Sequence, residues 1–320
     1  MVAGSIAPGG CIARQSYFCG AVWISNMLTQ EKLMVLVAIV LFTVPASADS
    51  MVYVVNGQQF GTIDLGTGAF SQIGPDTFEA VGGLVAGPNG SLLTLAFSGN
   101  LDSINPASGV TSIIGPTGLA DCSMPSSPCG PASANTLGTL GGTTYATDLA
   151  NNLYSVNPLT GAATLIGSTG IPAVPFVPDS TNPDGTFNAF DEALFGAGGN
   201  LYATFDAITI NPSPFTVTPV ISPDLYQINP LTGHATLIGP AALTLGAAIS
   251  VNGVVYAFID ESSEVDALNL TNGNTTFVSN FDPAAGVING AAPVPEPASI
   301  GLAGVGIAAL IVCRRRRRSA

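Results

Sequence analysis

"LYSVNPLTGAATLIG" at residues 153–167 and "LYQINPLTGHATLIG" at residues 225–239 are near copies of each other. Three further segments overlay them: "FGTIDLGTGAFSQIG" from Phe60, "LDSINPASGVTSIIG" from Leu101 and "VDALNLTNGNTTFVS" from Val265. The shared pattern is apolar-x-x-apolar-Asn/Asp-x-x-x-Gly-x-x-x-x-apolar. Its turn glycines, Gly68, Gly109, Gly161, Gly233 and Gly273, are 41, 52, 72 and 40 residues apart. A basic period near 40 with two enlarged intervals is a repeat architecture.

Each quoted pair of apolar runs is preceded by another: "GGLVAGPNGSLLTLAFS", "TLGTLGGTTYATD", "LFGAGGNLYATFD" and "LGAAISVNGVVYAFID". Each is a strand, a tight Gly or Asn-Gly turn, and a second strand. Four antiparallel strands in about 40 residues form a β-propeller blade. The sequence therefore predicts an all-β fold, a propeller of about five four-stranded blades over residues 49–292, followed by a C-terminal transmembrane helix. The first blade lacks an opening strand. "FDPAAGVING" from Phe281 resembles "FEAVGGLVAG" from Phe78 and has no strands after it, so Gly286 to Asn289 are expected to complete blade one and close the ring.

Charge is distributed unevenly. The net charge is -13 over 320 residues, yet between Asp49 and Pro293 there is no Lys or Arg and there are 18 Asp or Glu. Such a body cannot neutralise phosphates, which excludes nucleic acid as a partner. Neutral glycans, cations or another protein remain suitable partners. Acidic residues that merely keep an exported protein soluble are the plainer reading.

The basic residues belong to the ends. From Met27 the chain carries Lys32, an apolar run from Leu33 to Val44, and then Ala46-Ser47-Ala48. This is a secretory signal over residues 27–48, with cleavage after Ala48 and a mature start at Asp49. Residues 1–26, which precede it, are expected to be an over-extended gene start, with Met27 or Met34 the initiator. At the other end, Ala298 to Cys313 is an uncharged run, and Arg314, Arg315, Arg316, Arg317 and Arg318 follow at once. The arginines hold that end in the cytoplasm and leave the body outside the inner membrane.

Pro295-Glu296-Pro297, an apolar helix and an arginine cluster, in that order, resemble the PEP-CTERM sorting signal over residues 293–320. The resemblance implies exosortase as a partner, in a Gram-negative bacterium that makes exopolysaccharide. It also implies anchoring in the inner membrane, followed by processing near the Pro-Glu-Pro and transfer to the cell envelope or the extracellular biofilm matrix.

Three insertions, Pro116 to Ala134, Ser168 to Phe190 and Ala207 to Asp224, fall on links that leave the blades from one face, so they are expected to gather into a binding surface. The first holds "DCSMPSSPC", in which Cys122 and Cys129 are expected to form a disulfide in an exported chain; Cys313 is expected to stay unpaired. The second holds "STNPDGTFNAFD". There Ser180, Asn182, Asp184, Asn188 and Asp191 take positions of an EF-hand-like calcium loop, with an Asn/Asp/Pro/Gly-rich turn as the plainer reading. Asp260, Glu261, Glu264 and Asp266 form a smaller acidic cluster. No catalytic constellation is present. The one histidine of the body, His234, lies in a tight turn, and no cation is available to stabilise an oxyanion.

The expected function is a non-enzymatic surface or matrix protein without a resident cofactor, calcium aside. It would bind exopolysaccharide or another surface protein through the loop face, where Phe176 and Phe215 could form an aromatic platform. The alternatives are a matrix filler without a specific ligand and a lactonase-like propeller enzyme with a carboxylate-held metal in its channel.

Overall fold

The computed structural model describes residues 51–56, 59–75, 80–96, 98–119, 134–171, 187–212, 215–241, 245–259 and 262–294. The segments expected to be the N-terminal extension (1–26), the signal peptide (27–48) and the transmembrane helix lie outside them. Among the described residues no helix is long and apolar enough to cross a membrane.

The described strands form five separate four-stranded sheets. Blade one takes β1 (Met51–Val55), β2 (Phe60–Asp64) and β3 (Phe70–Gln72). Blade two is β4 (Ala80–Ala86), β5 (Leu92–Ala96), β6 (Asn100–Ile104) and β7 (Thr111–Pro116). Blade three is β8 (Ala134–Leu140), β9 (Thr143–Asp148), β10 (Asn152–Val156) and β11 (Ala163–Ser168). Blade four is β12 (Phe187–Ala197), β13 (Asn200–Pro212), β14 (Phe215–Ile228) and β15 (Ala235–Pro240). Blade five is β16 (Leu245–Val251), β17 (Val254–Ile259), β18 (Glu264–Leu268) and β19 (Thr275–Asn280). The last strand, β20 (Gly290–Pro293), returns to blade one and gives it the order β20-β1-β2-β3.

Ring closure by the far end of the chain is therefore as the sequence predicts, but the closing residues are not. Gly286 to Asn289 do not form the strand. Asp282 caps a short 3-10 helix at Pro283–Ala285, Gly286 leaves it with φ 63°, and pairing with β1 occupies Gly290–Pro293. Matching the two phenylalanines set the strand too early. The better match is Gly290-Ala291-Ala292 with Gly246-Ala247-Ala248 of β16. The body consequently runs through Pro293.

The repeat signature has a local physical cause at each position. Its Asn or Asp folds the turn between third and fourth strands: Asn157 Oδ1 accepts from Leu159 N at 2.9 Å, and Asn229 Oδ1 accepts from Leu231 N at 2.9 Å. Asp64, Asn105 and Asn269 do the same in the other blades. Such Asx turns are why the position tolerates little else. The two apolar positions before the turn are the buried ones, as in Leu153 and Val156 or Leu225 and Ile228.

The turn glycine does more than adopt a left-handed backbone. Gly161 (φ 81°) lies against the outer strand of the preceding blade, and a Cβ there would sit 2.3 Å from the carbonyl oxygen of Gly115. Gly233 packs in the same way on Gly167, Gly109 on Ile73, Gly273 on Pro240, and Gly68 on Asn280. Each glycine thus forms a seam between two blades, and the Gly68–Asn280 seam joins the last blade to the first.

The core follows the same plan. Buried apolar side chains form five clusters, one at each blade interface. The cluster between blades five and one joins Val52 and Ile63 to Phe258, Phe281 and Ile288, with the rings of Phe258 and Phe281 meeting edge to face at 6.0 Å.

Candidate binding face

In four antiparallel strands the first and third turns lie at one end of the sheet, and the second turn and the link to the next blade lie at the other. These are here the turn end and the linker end. The turn end is made of short turns such as Gly141-Gly142, Gly198-Gly199 and Asn252-Gly253, all with positive φ. The linker end receives the long links 117–133 and 169–186.

The described residues of the third insertion, 207–212 and 215–224, are strand rather than loop. Strands β12, β13 and β14 run on past the blade as a three-stranded wing, paired from Ala197↔Asn200 to Phe187↔Ile210 and from Leu201↔Ile228 to Pro212↔Phe215. Counting Ala207 to Asp224 as loop overlooked its alternation of Ile, Thr and Val, which is a strand signal. The wing projects about 20 Å beyond the ring if six further residues rise by about 3.3 Å each.

The linker end also holds most of the described carboxylates. Asp148, at the end of β9, is buried. It accepts from Ala150 N (3.0 Å), Asn152 N (2.8 Å), Asn152 Nδ2 (2.9 Å) and Tyr154 Oη (2.8 Å). Burial, and then the hydrogen bond and charge of Asp148, push the Tyr154 phenol up to about 12. Blade four repeats the theme: Tyr226 Oη donates to Asp224 at 3.3 Å, and burial together with that carboxylate raises the Tyr226 phenol. Glu192 and Asp206 are buried where the wing leaves the blade. These tyrosine–carboxylate pairs were missed in the sequence. Their signal was an acid within six residues before the Tyr of each Leu-Tyr pair, Asp148 before Tyr154 and Asp224 before Tyr226.

The sequence-predicted residues divide as follows. Ala46, Ala48, Asp49, Cys122, Cys129, Ser180, Asn182, Asp184, Pro295, Glu296, Pro297 and Arg314 to Arg318 lie outside the described residues, as do Phe176, Asp260 and Glu261. Asn188 and Asp191 lie on β12, paired with Thr209 and Asp206. That extended ladder differs from the curled backbone by which an EF-hand loop wraps an ion, so the last five positions of the expected calcium loop have strand geometry instead. Phe215 opens β14. Glu264 accepts from Ser262 Oγ at 2.8 Å, and Asp266 is buried beside it in sequence. His234 is exposed in its turn. Among the described residues no group of three or more His, Cys, Asp or Glu is arranged to hold a metal ion.

The inner strands leave a cavity of about 110 Å³ on the ring axis, lined by Val85, Thr139, Phe195, Ile249, Ala291 and Pro293 among others. It is this narrow because neighbouring inner strands touch backbone to backbone; a Cβ on Gly290 would meet the carbonyl carbon of Gly83 at 2.5 Å. The described lining is apolar or hydroxylic and includes no carboxylate.

Residues 293–318 match the family model of the PEP-CTERM protein-sorting motif. The chain therefore carries the sorting signal its tail resembles, which implies export, membrane anchoring through the C-terminus and exosortase processing. No curated protein matches the chain. Among solved structures, a nidogen/laminin complex aligns with TM-score 0.44 and 10% identity, over 76% of this chain and 97% of that one. A Bacteroides caccae protein of unknown function aligns with TM-score 0.41 and 13% identity, over 77% and 99%. The PQQ-bound aldose sugar dehydrogenase of Streptomyces coelicolor aligns with TM-score 0.38 and 12% identity, over 68% and 85%.

Proposed function

We propose that the exported propeller is a non-catalytic binding module of the cell surface or extracellular matrix, taking a neutral glycan or a surface protein at the linker end of its sheets. One observation carries this reading: the wing of blade four and both long links belong to that end, whereas the other end has only tight turns. Insertions gathered on one face of a repeat protein build binding surfaces. A body without Lys or Arg between residues 49 and 293 favours neutral polymers over phosphorylated or sulfated ones. The lactonase-like alternative has no comparable support, because the described channel lining offers no carboxylate to a metal.

The test is a binding titration of the purified chain against exopolysaccharide from its own host, repeated after residues 207–222 are replaced by a two-residue Asn-Gly turn. The proposal expects the shortened variant to melt like the parent and to bind much more weakly. Equal binding by both would move the site elsewhere. A parent that binds neither the polysaccharide nor surface proteins of the host would leave a structural filler.

A further inference from the structure

The chain enters and leaves the propeller at one place. Val52 near the start of β1 pairs with Pro293 at the end of β20, so both ends of the body open at the turn end of the sheets. Pro293 also lines the channel, because β20 is the inner strand of its blade. The sorting tail therefore departs from the hub of the ring and not from its rim. Only residues 294–297 separate β20 from the apolar run that starts at Ala298. Fully extended, four residues span at most about 14 Å.

Charge is segregated along the same axis. Among the described residues the turns between first and second strands hold no carboxylate, and Asp64 lies in a third-to-fourth-strand turn at the periphery, where Asp282 N donates to Gly68 O. Asp148, Asp191, Glu192, Asp206, Asp224 and Glu264 stand at the linker end or on the wing, and Asp102 and Asp266 lie within third strands. An anionic lipid surface repels the linker-end group within roughly a Debye length and has no described carboxylate to repel at the turns between first and second strands. The turns between inner strands are also low and open: a Cβ on Gly141, Gly142, Gly198, Gly199 or Gly253 would meet nothing within 4 Å.

We infer that, while its tail is in the bilayer, the propeller stands upright on the membrane, with the turn end of its sheets against the outer leaflet and the acidic, wing-bearing end directed away. The partner of the turn end is thus the lipid surface itself. The short tether at the hub holds the ring close, and the charge asymmetry selects which end faces down. This orientation depends on the sorting tail and not on any ligand for the wing, so it stands even if the binding reading fails.

Two single-cysteine variants test it. Val254 is 42% exposed beside the Asn252-Gly253 turn, and Val287 is 50% exposed in the link that precedes β20 at the opposite end. Residues 49–320, with Cys122, Cys129 and Cys313 replaced by Ser, carry either Val254→Cys or Val287→Cys. Each is labelled with a fluorophore and reconstituted through its own tail into vesicles containing anionic lipid and a headgroup quencher. Circular dichroism and melting confirm that each variant keeps the fold of the parent. The expected result is several-fold stronger quenching at position 254 than at 287. Equal quenching, or stronger quenching at 287, would overturn the orientation.

Discussion

Val52 and Pro293 are direct partners in one antiparallel ladder, although one opens the body and the other ends it. The strand that carries Pro293 buries Ala291 and Ala292, covers the edge of β1 and runs into the sorting motif that begins at the same residue. Structure and sorting signal thus meet without a spacer.

Truncation should expose this junction. A chain ending after Val294 keeps the closing strand and should melt like the full body. A chain ending after Asn289 loses four ladder residues and leaves Val52 and Val54 beside an open edge. Its expected destabilisation is on the order of 3 kcal/mol or more, read as a lower denaturant midpoint. Identical midpoints for the two truncations would mean that the ring does not depend on β20.

The seam glycines predict a difference between two substitutions with the same backbone strain. Gly233 and Gly253 have φ of 82° and 81°. A Cβ at Gly253 meets open space, whereas one at Gly233 would lie 2.6 Å from the carbonyl oxygen of Gly167. Gly253→Ala should therefore cost about 1 kcal/mol, the strain alone. Gly233→Ala should cost about 2–4 kcal/mol, because two blades must separate as well. Equal costs in chemical unfolding would remove the seam from the account.

Tyr154 sets an alkaline limit. Its phenol titrates near 12 when folded and near 10 when unfolded, so the folded state favours the neutral form. That contribution is complete below pH 10 and is lost as pH rises from 10 to 12. Tyr154→Phe removes one of the four donors to Asp148, should cost about 1 kcal/mol at neutral pH, and should flatten the fall in stability over that alkaline window. A variant whose alkaline limb matches that of the parent would show that Tyr154 is not the group responsible.

The β12 ladder makes a prediction about calcium. Residues 187–191 are paired along a strand, so the segment from Ser180 to Asp191 should not close round an ion. Melting curves of the exported chain with and without millimolar calcium are expected to coincide. A calcium-dependent rise that disappears in Asp184→Ala would restore the loop.

Much of the fold was legible because the repeat states it five times. Glycines at a fixed offset from an Asn or Asp can be read as turns from one segment and as blades from several. The closing strand was harder. Gly290–Pro293 is four residues long and holds no β-branched residue, so its strand character comes from its place between β1 and β4, not from propensity. The wing was obscured for a different reason. Pro212, Pro214, Pro219 and Pro223 resemble loop punctuation, yet the ladder accommodates Pro219 and Pro223 near register shifts between β13 and β14. The segregation of carboxylates cannot be read from their number alone, because it depends on which turn falls at which end of a blade. The tail was the most legible part, since an order of three chemically distinct pieces needs no fold to be recognised.

The most direct measurement is the C-terminal peptide of the protein isolated from its own host, by mass spectrometry, with and without exosortase. The expected product in the presence of exosortase ends beyond Pro293, with the closing strand intact and the arginine cluster gone, and without the enzyme the peptide that includes Arg318 stays with the membrane. A mature chain that ends before Gly290, or the same product in both strains, would contradict a propeller closed by the strand that leads into its sorting signal.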